Sequence, residues 1–147
     1  NLGGFFRMST NWFKDMQDMH IKYGVNKWVQ AEKQSDVDIK RFNQYMQFRI
    51  NMMQEELDET QNAFVNKDAE EVVDGIIDLC VFAIGTLEVF GVDANKAWDE
   101  VYKANMNKEV GIKEGRPNPL GLPDLVKPEN WKGPSHKDNH GNITDSF

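Results

Sequence analysis

Two short acidic segments carry most of the chemical potential in this chain: Glu55-Glu56-Leu57-Asp58-Glu59 and Glu71-Val72-Val73-Asp74-Gly75-Ile76-Ile77-Asp78. At about 100° per residue, a helix would gather Glu71, Asp74 and Asp78 into an arc of roughly 60°, and Glu55, Glu56 and Glu59 into roughly 100°. Apolar residues flank the arc of Glu71, Asp74 and Asp78 on both sides, which a water-facing stripe does not require. None of these six acids has a lysine or arginine three or four positions further on. A solvated acid face would be expected to carry such pairs.

Only about a dozen residues separate the segments, so an antiparallel helical hairpin would set them opposite each other. Two carboxylates about 4 Å apart repel by about 4 kcal/mol at an effective dielectric of 20. Several converging groups must raise their pKa values, break the packing, or hold a cation. Mg²⁺ suits such a set: it takes oxygen ligands and leaves part of its shell to water and substrate phosphates.

The elements needed to position these acids are legible. All five prolines (117, 119, 123, 128, 134) follow residue 116, and residues 11–110 contain four glycines (24, 75, 85, 91). Four helices are expected, making an all-α four-helix bundle. The first runs from Trp12 to Tyr23, with Asn11 or Thr10 as N-cap and Gly24 as C-cap. The second begins near Val37, after Ser35 and Asp36, and runs to Val65. The third begins after Asn66 and ends at Gly91, and its apolar residues nearly encircle it. The fourth runs from Asp93 to before Gly111, packing through Ala97, Val101 and Ala104. A Pro/Gly-rich extended tail, 111–147, follows the helical region 11–110. Residues 1–10 are expected to be an N-terminal extension, with 1–7 a cloning remnant ahead of Met8.

The chain has 147 residues, a net charge of −7 and one cysteine. That length fits one domain. The acidic balance argues against binding nucleic acid through its phosphates. Cys80 alone builds neither a disulfide nor a cysteine zinc site, and it reads as a small core residue. No run approaches the ~18 apolar residues of a membrane span. No secretory signal is visible, so no membrane partner and a cytoplasmic location are expected.

Taken with their spacing, these residues resemble the all-α nucleoside triphosphate pyrophosphohydrolases. That superfamily includes the MazG-like enzymes, dimeric dUTPases, dCTP pyrophosphatases and phosphoribosyl-ATP pyrophosphohydrolase. The metal signature Glu-Glu-x-x-Glu followed by Glu-x-x-Asp is matched by Glu55-Glu56-x-x-Glu59 and Glu71-x-x-Asp74. Met19-His20-x-Lys22-Tyr23-Gly24 is similar to the Phe-His-x-x-Phe-Gly of phage-type members. Asp74-Gly75-Ile76-Ile77-Asp78 with Ile84-Gly85-Thr86 resembles their third helix. Ala104-Asn105-Met106-Asn107-Lys108 resembles their Ser-Asn-Met-Ser-Lys, and Trp131-Lys132-Gly133-Pro134 their late Lys-Gly-Pro. The resemblance spans roughly residues 12–136.

It implies hydrolysis of a nucleoside triphosphate to the monophosphate and pyrophosphate, with dNTPs expected and dGTP or dCTP favoured. It implies Mg²⁺, for which Mn²⁺ can substitute, at Glu56, Glu59, Glu71 and Asp74, with Glu55 and Asp78 in or near the shell. Glu55 or Glu56 would orient or deprotonate the attacking water. Lys103, Asn105, Lys108, His20 and Lys132 are expected at the substrate, and Arg116 in the tail could also reach it. The implied assembly is a homodimer or homotetramer. A phage-encoded chain of this kind would adjust nucleotide pools in the host cytoplasm. Two other readings stay open: phosphoribosyl-ATP hydrolysis, and a non-catalytic helical assembly or regulatory protein.

Overall fold

A computed structural model describes residues 8–34 and 39–147. The expected extension up to residue 7 and the caps Ser35 and Asp36 lie outside the described residues. Among those described there are five α-helices, one more than the pattern predicted: α1 (Trp12–Tyr23), α2 (Val25–Gln34), α3 (Ile39–Val65), α4 (Ala69–Val89) and α5 (Ala94–Met106). No single helix among them is long and apolar enough to cross a membrane. The chain divides into two compact units: residues up to Ala94 together with His140–Phe147, and Asn95–Asn139.

The first unit is built on α3 and α4. Asn11 caps α1, its side chain accepting the Lys14 N–H at 3.1 Å, and Gly24 ends it with φ +79°. Gly24 was read as a stop, yet α2 starts at the next residue. Its carbonyl accepts the Trp28 N–H at 3.2 Å. The left-handed residue thus turns the chain without a linker. On α2, Trp28 meets Tyr45 and Phe42 of α3 at ring distances of 4.9 and 6.5 Å.

The connection from α3 to α4 is short. Lys67 takes φ +58°, and the Asp68 N–H reaches back to the Ala63 carbonyl at 2.9 Å. The Asp68 side chain then caps α4 by accepting the Glu71 N–H at 3.2 Å. Such a turn makes the helices antiparallel neighbours. Phe42, Val89 and Phe90 form a buried cluster, with Val25, Val29, Tyr45, Met46 and Ile143 packed on it.

Ile143 belongs to the short 3-10 turn η1 (Ile143–Ser146). The tail therefore ends inside the first unit instead of remaining an extended loop. The Asn142 N–H donates to the Phe90 carbonyl at 2.6 Å, and Asn43 Nδ2 to the Ser146 carbonyl at 2.9 Å. Gly141 permits the approach: at φ +54°, an added Cβ would lie 2.0 Å from the Phe90 oxygen.

The second unit holds α5 and two short strands, β1 (Glu109–Gly111) and β2 (Asp124–Val126), paired antiparallel with Glu109 opposite Val126. Of the expected packing residues of α5, Ala104 is buried while Val101 is exposed. Trp28 is half-buried, whereas Trp12 and Trp98 are exposed.

Candidate active site

The α3–α4 seam sets the site. At its turn-proximal end the helices nearly touch: a Cβ on Gly75 would lie 2.3 Å from Thr60 Oγ1. Thr60 keeps its hydroxyl against its own helix by donating to the Glu56 carbonyl at 2.8 Å. Two turns beyond Glu56, away from the turn, Arg49 reaches across to α4. Its Nε donates to Thr86 Oγ1 at 2.9 Å and its Nη2 to the Phe82 carbonyl at 3.1 Å. With Thr60 opposite Gly75 and Arg49 opposite Thr86, the antiparallel register puts Glu56 level with Asp78.

Glu56 is half-buried there, and its Oε2 is buried with no hydrogen-bond partner. Burial pushes its carboxyl above the ordinary value of 4.5, and the charges of Glu59, Asp78 and Asp74 push the same way. The structure thus brings Glu59, Asp74 and Asp78 within electrostatic reach of Glu56. Glu55 is exposed on α3. Glu71 is exposed in the first turn of α4, its N–H held by Asp68.

An orphaned buried carboxylate oxygen beside three more carboxylates suits a hard divalent cation such as Mg²⁺ or Mn²⁺, since every donor is oxygen. The side chains as they stand do not converge on one point: among the described residues, no group of three or more His, Cys, Asp or Glu is arranged to hold a metal ion.

The other expected site residues are distributed as follows. His20 is buried, its Nδ1 hydrogen-bonded to the Glu88 carboxylate, so its ring is turned into the first unit's interior. It shares that interior with Arg49, because Gly85 leaves room: a Cβ there would lie 2.6 Å from Arg49 Nη2 and 3.4 Å from His20 Nε2. In the second unit, Lys103 pairs with Glu100 at 3.4 Å, while Asn105, Arg116 and Lys132 are exposed. Glu100 also accepts the Ser135 N–H, which holds its carboxyl below the ordinary value, with Lys103 acting the same way. Lys108 lies 5.3 Å from the centre of the Trp131 ring.

Sequence reasoning missed Arg49. A lone arginine in an apolar stripe has no periodic signature, and only the Gly85-Thr86 pair opposite it hinted at a polar seat. Cys80, expected in the core, is half-buried and lines an apolar cavity of about 220 Å³ with Trp12, Met16, Met19, Ile77 and Ile84.

No curated protein matches the chain. Residues 27–105 match the family model described as phosphoribosyl-ATP pyrophosphohydrolase. That span takes in all of α3 and α4, and with them the carboxylate seam. The family's enzymes act on nucleotides and typically depend on a divalent metal. The chain belongs to the phosphoribosyl-ATP pyrophosphohydrolase family, one of the all-α nucleotide pyrophosphohydrolases that cleave phosphoric anhydrides.

Proposed function

We propose that this chain hydrolyses a nucleoside triphosphate, preferably a dNTP, to the monophosphate and pyrophosphate with Mg²⁺ held at the α3–α4 seam. The observation that carries the reading is the buried, unpartnered Glu56 Oε2 among Glu59, Asp74 and Asp78. Glu56, Glu59, Asp74 and Asp78 would hold the cation, with Glu71 one turn from Asp74. The cation would supply charge neutralisation for the phosphate oxygens. Glu56, on the α3 face of the seam, would orient or deprotonate the attacking water. Glu55, exposed on the neighbouring flank, is the alternative acceptor.

A homo-oligomer fits the surface around this seam. Leu57, Phe64, Val73 and Ile76 are 50%, 69%, 63% and 48% exposed. An apolar surface of that kind marks an interaction site. A second copy would cover it, and light scattering should then give two or four times 17.0 kDa.

The family match favours one other reading, phosphoribosyl-ATP as substrate. A panel of dNTPs, NTPs and phosphoribosyl-ATP with purified protein and Mg²⁺, scored for pyrophosphate release, separates the two. Turnover of dNTPs, fastest with dGTP or dCTP and lost on chelation, is the expected result. Turnover confined to phosphoribosyl-ATP would replace it with the second reading.

A further inference from the structure

The half of the α3–α4 seam away from the turn holds a charge that the proposed reaction does not use. Arg49 is 8% exposed, and among the described residues no carboxylate is paired with it. Its Nε donates to Thr86 Oγ1 and its Nη2 to the Phe82 carbonyl, both across the seam. Thr86 Oγ1 in turn donates to that same carbonyl at 2.6 Å. Guanidinium, hydroxyl and carbonyl thus close a ring of three hydrogen bonds on one turn of α4.

Seating this group costs stability twice. Taking a guanidinium out of water without a counter-charge is unfavourable, and an apolar side chain of similar volume would fill the space without that penalty. Gly85 then weakens the middle of α4, where glycine is a poor helix former. It is required because a Cβ there would lie 2.6 Å from Arg49 Nη2 and 2.9 Å from Met16 Cε. What an apolar residue could not supply is direction: apolar contact is non-directional, whereas hydrogen bonds weaken steeply off line. A rigid fork held at two points sets both the height of α4 along α3 and its rotation. Phe82 lies one turn from Asp78, and Arg49 two turns from Glu56. A one-residue slip of α4 would carry Asp78 about 1.5 Å along the axis and about 100° around it. Metal ligands must sit within about 0.2 Å of their places.

We infer that Arg49 is a positioning residue for the cation site: its two-point grip on Thr86 and Phe82 holds α4 in the register that sets Asp74 and Asp78 against Glu56 and Glu59. It acts through α4 and not on the cation or the nucleotide. The inference deepens the reading proposed above and rests on it only for the presence of a cation at the seam.

The test measures Mn²⁺ binding to the full chain without nucleotide, from the loss of the free-ion signal in electron paramagnetic resonance. The binding abolished by Glu56→Gln reports the seam. Arg49→Lys keeps the charge but not the fork, and Thr86→Val removes one of the fork's two acceptors. Each should weaken seam binding at least about tenfold, whereas Thr86→Ser, which keeps the hydroxyl, stays within about threefold of wild type. Ile143→Ala controls for stability alone: it loosens the Phe42–Phe90 cluster of the same unit and should leave Mn²⁺ affinity unchanged. With nucleotide, the Mg²⁺ needed for half-maximal rate should rise about tenfold in Arg49→Lys, and kcat should return to within about threefold of wild type at saturating Mg²⁺. Unchanged Mn²⁺ affinity in a folded Arg49→Lys or in Thr86→Val overturns the inference, as does an equal loss in Ile143→Ala. So does a raised nucleotide KM at unchanged Mn²⁺ affinity, which would make Arg49 a substrate contact. A wild-type chain that holds no Mn²⁺ at the seam overturns the proposed cation site itself. A seam that binds Mn²⁺ equally in every Arg49 and Thr86 variant leaves that site standing and removes only the role of Arg49.

Discussion

The two halves of the α3–α4 seam treat buried polar groups in opposite ways. Away from the connecting turn, Arg49 gives hydrogen bonds to Thr86 and to the Phe82 carbonyl, and its guanidinium carbon lies 5.3 Å from the centre of the Phe82 ring. Beside it, His20 and Glu88 satisfy each other. Nearer the turn, Glu56 keeps an oxygen out of water with no partner and three carboxylates for neighbours. Burying an unsatisfied polar group costs about 1–3 kcal/mol. The same pair of helices avoids that cost at one end and tolerates it at the other. Satisfied polar groups fix the packing, and the unsatisfied one lies where the proposed cation would sit.

This contrast can be broken most decisively at Glu56. Glu56→Gln is expected to lower turnover at least about a hundredfold, which is about 2.7 kcal/mol of barrier, while far-UV circular dichroism stays that of the wild type. Turnover within tenfold of wild type would mean that the orphaned oxygen has no part in the reaction.

The satisfied end should answer in stability instead. Glu88→Ala leaves His20 Nδ1 buried without its partner, and urea unfolding should show a loss of about 2 kcal/mol. The folded fraction should keep its specific activity. A variant equally stable but inactive would extend the reaction site to both ends of the seam.

Gly75→Ala tests the spacing of the seam itself. Its new methyl would meet Thr60 Oγ1 at 2.3 Å, and overpacking of this kind costs about 1 kcal/mol or more. Adding Thr60→Ala should recover most of that loss, in stability and in rate together, as a double-mutant cycle would record.

The smallest effect sharpens the contrast through pH. The folded pKa of Glu56 lies above the ordinary 4.5, so between those two values the native state holds more protons than the unfolded one. Stability therefore falls as pH rises through that window, and the penalty persists above it. In metal-free buffer at pH 7, Glu56→Gln should melt slightly higher than wild type. Well below pH 4.5 the carboxyl is protonated in both states, and the two melting curves should coincide.

The hairpin and its acids were legible because helical periodicity and acid spacing are local signals. Residues 55–59 and 71–78 declare their faces within two turns, and the short link dictates that they meet. Three features lay beyond that reach. Helix α2 was hidden because Gly24 ends one helix and begins the next with no polar linker. His20 read as a substrate contact because sequence cannot show that Glu88, 68 positions away, waits inside to bond it. The pairing of β1 with β2 depends on a three-residue ladder closed across the loop 112–123, which is too short for any alternating pattern to register.

The position of η1 has a consequence for the order in which the chain can be made. Ile143 completes the Phe42–Phe90 cluster, and Ser146 accepts from Asn43 on α3. On the ribosome, residues 140–147 emerge only after the whole of the second unit. Until then the nascent first unit carries the Phe90 carbonyl without the Asn142 N–H that satisfies it, and one side of its aromatic cluster without Ile143. The second unit must therefore be synthesised as an insertion within an unfinished fold, and contacts this distant in sequence are among the slowest to form. A ribosome stalled after residue 139 would hold the first unit helical but unsealed, a stage exposed to aggregation and to chaperones.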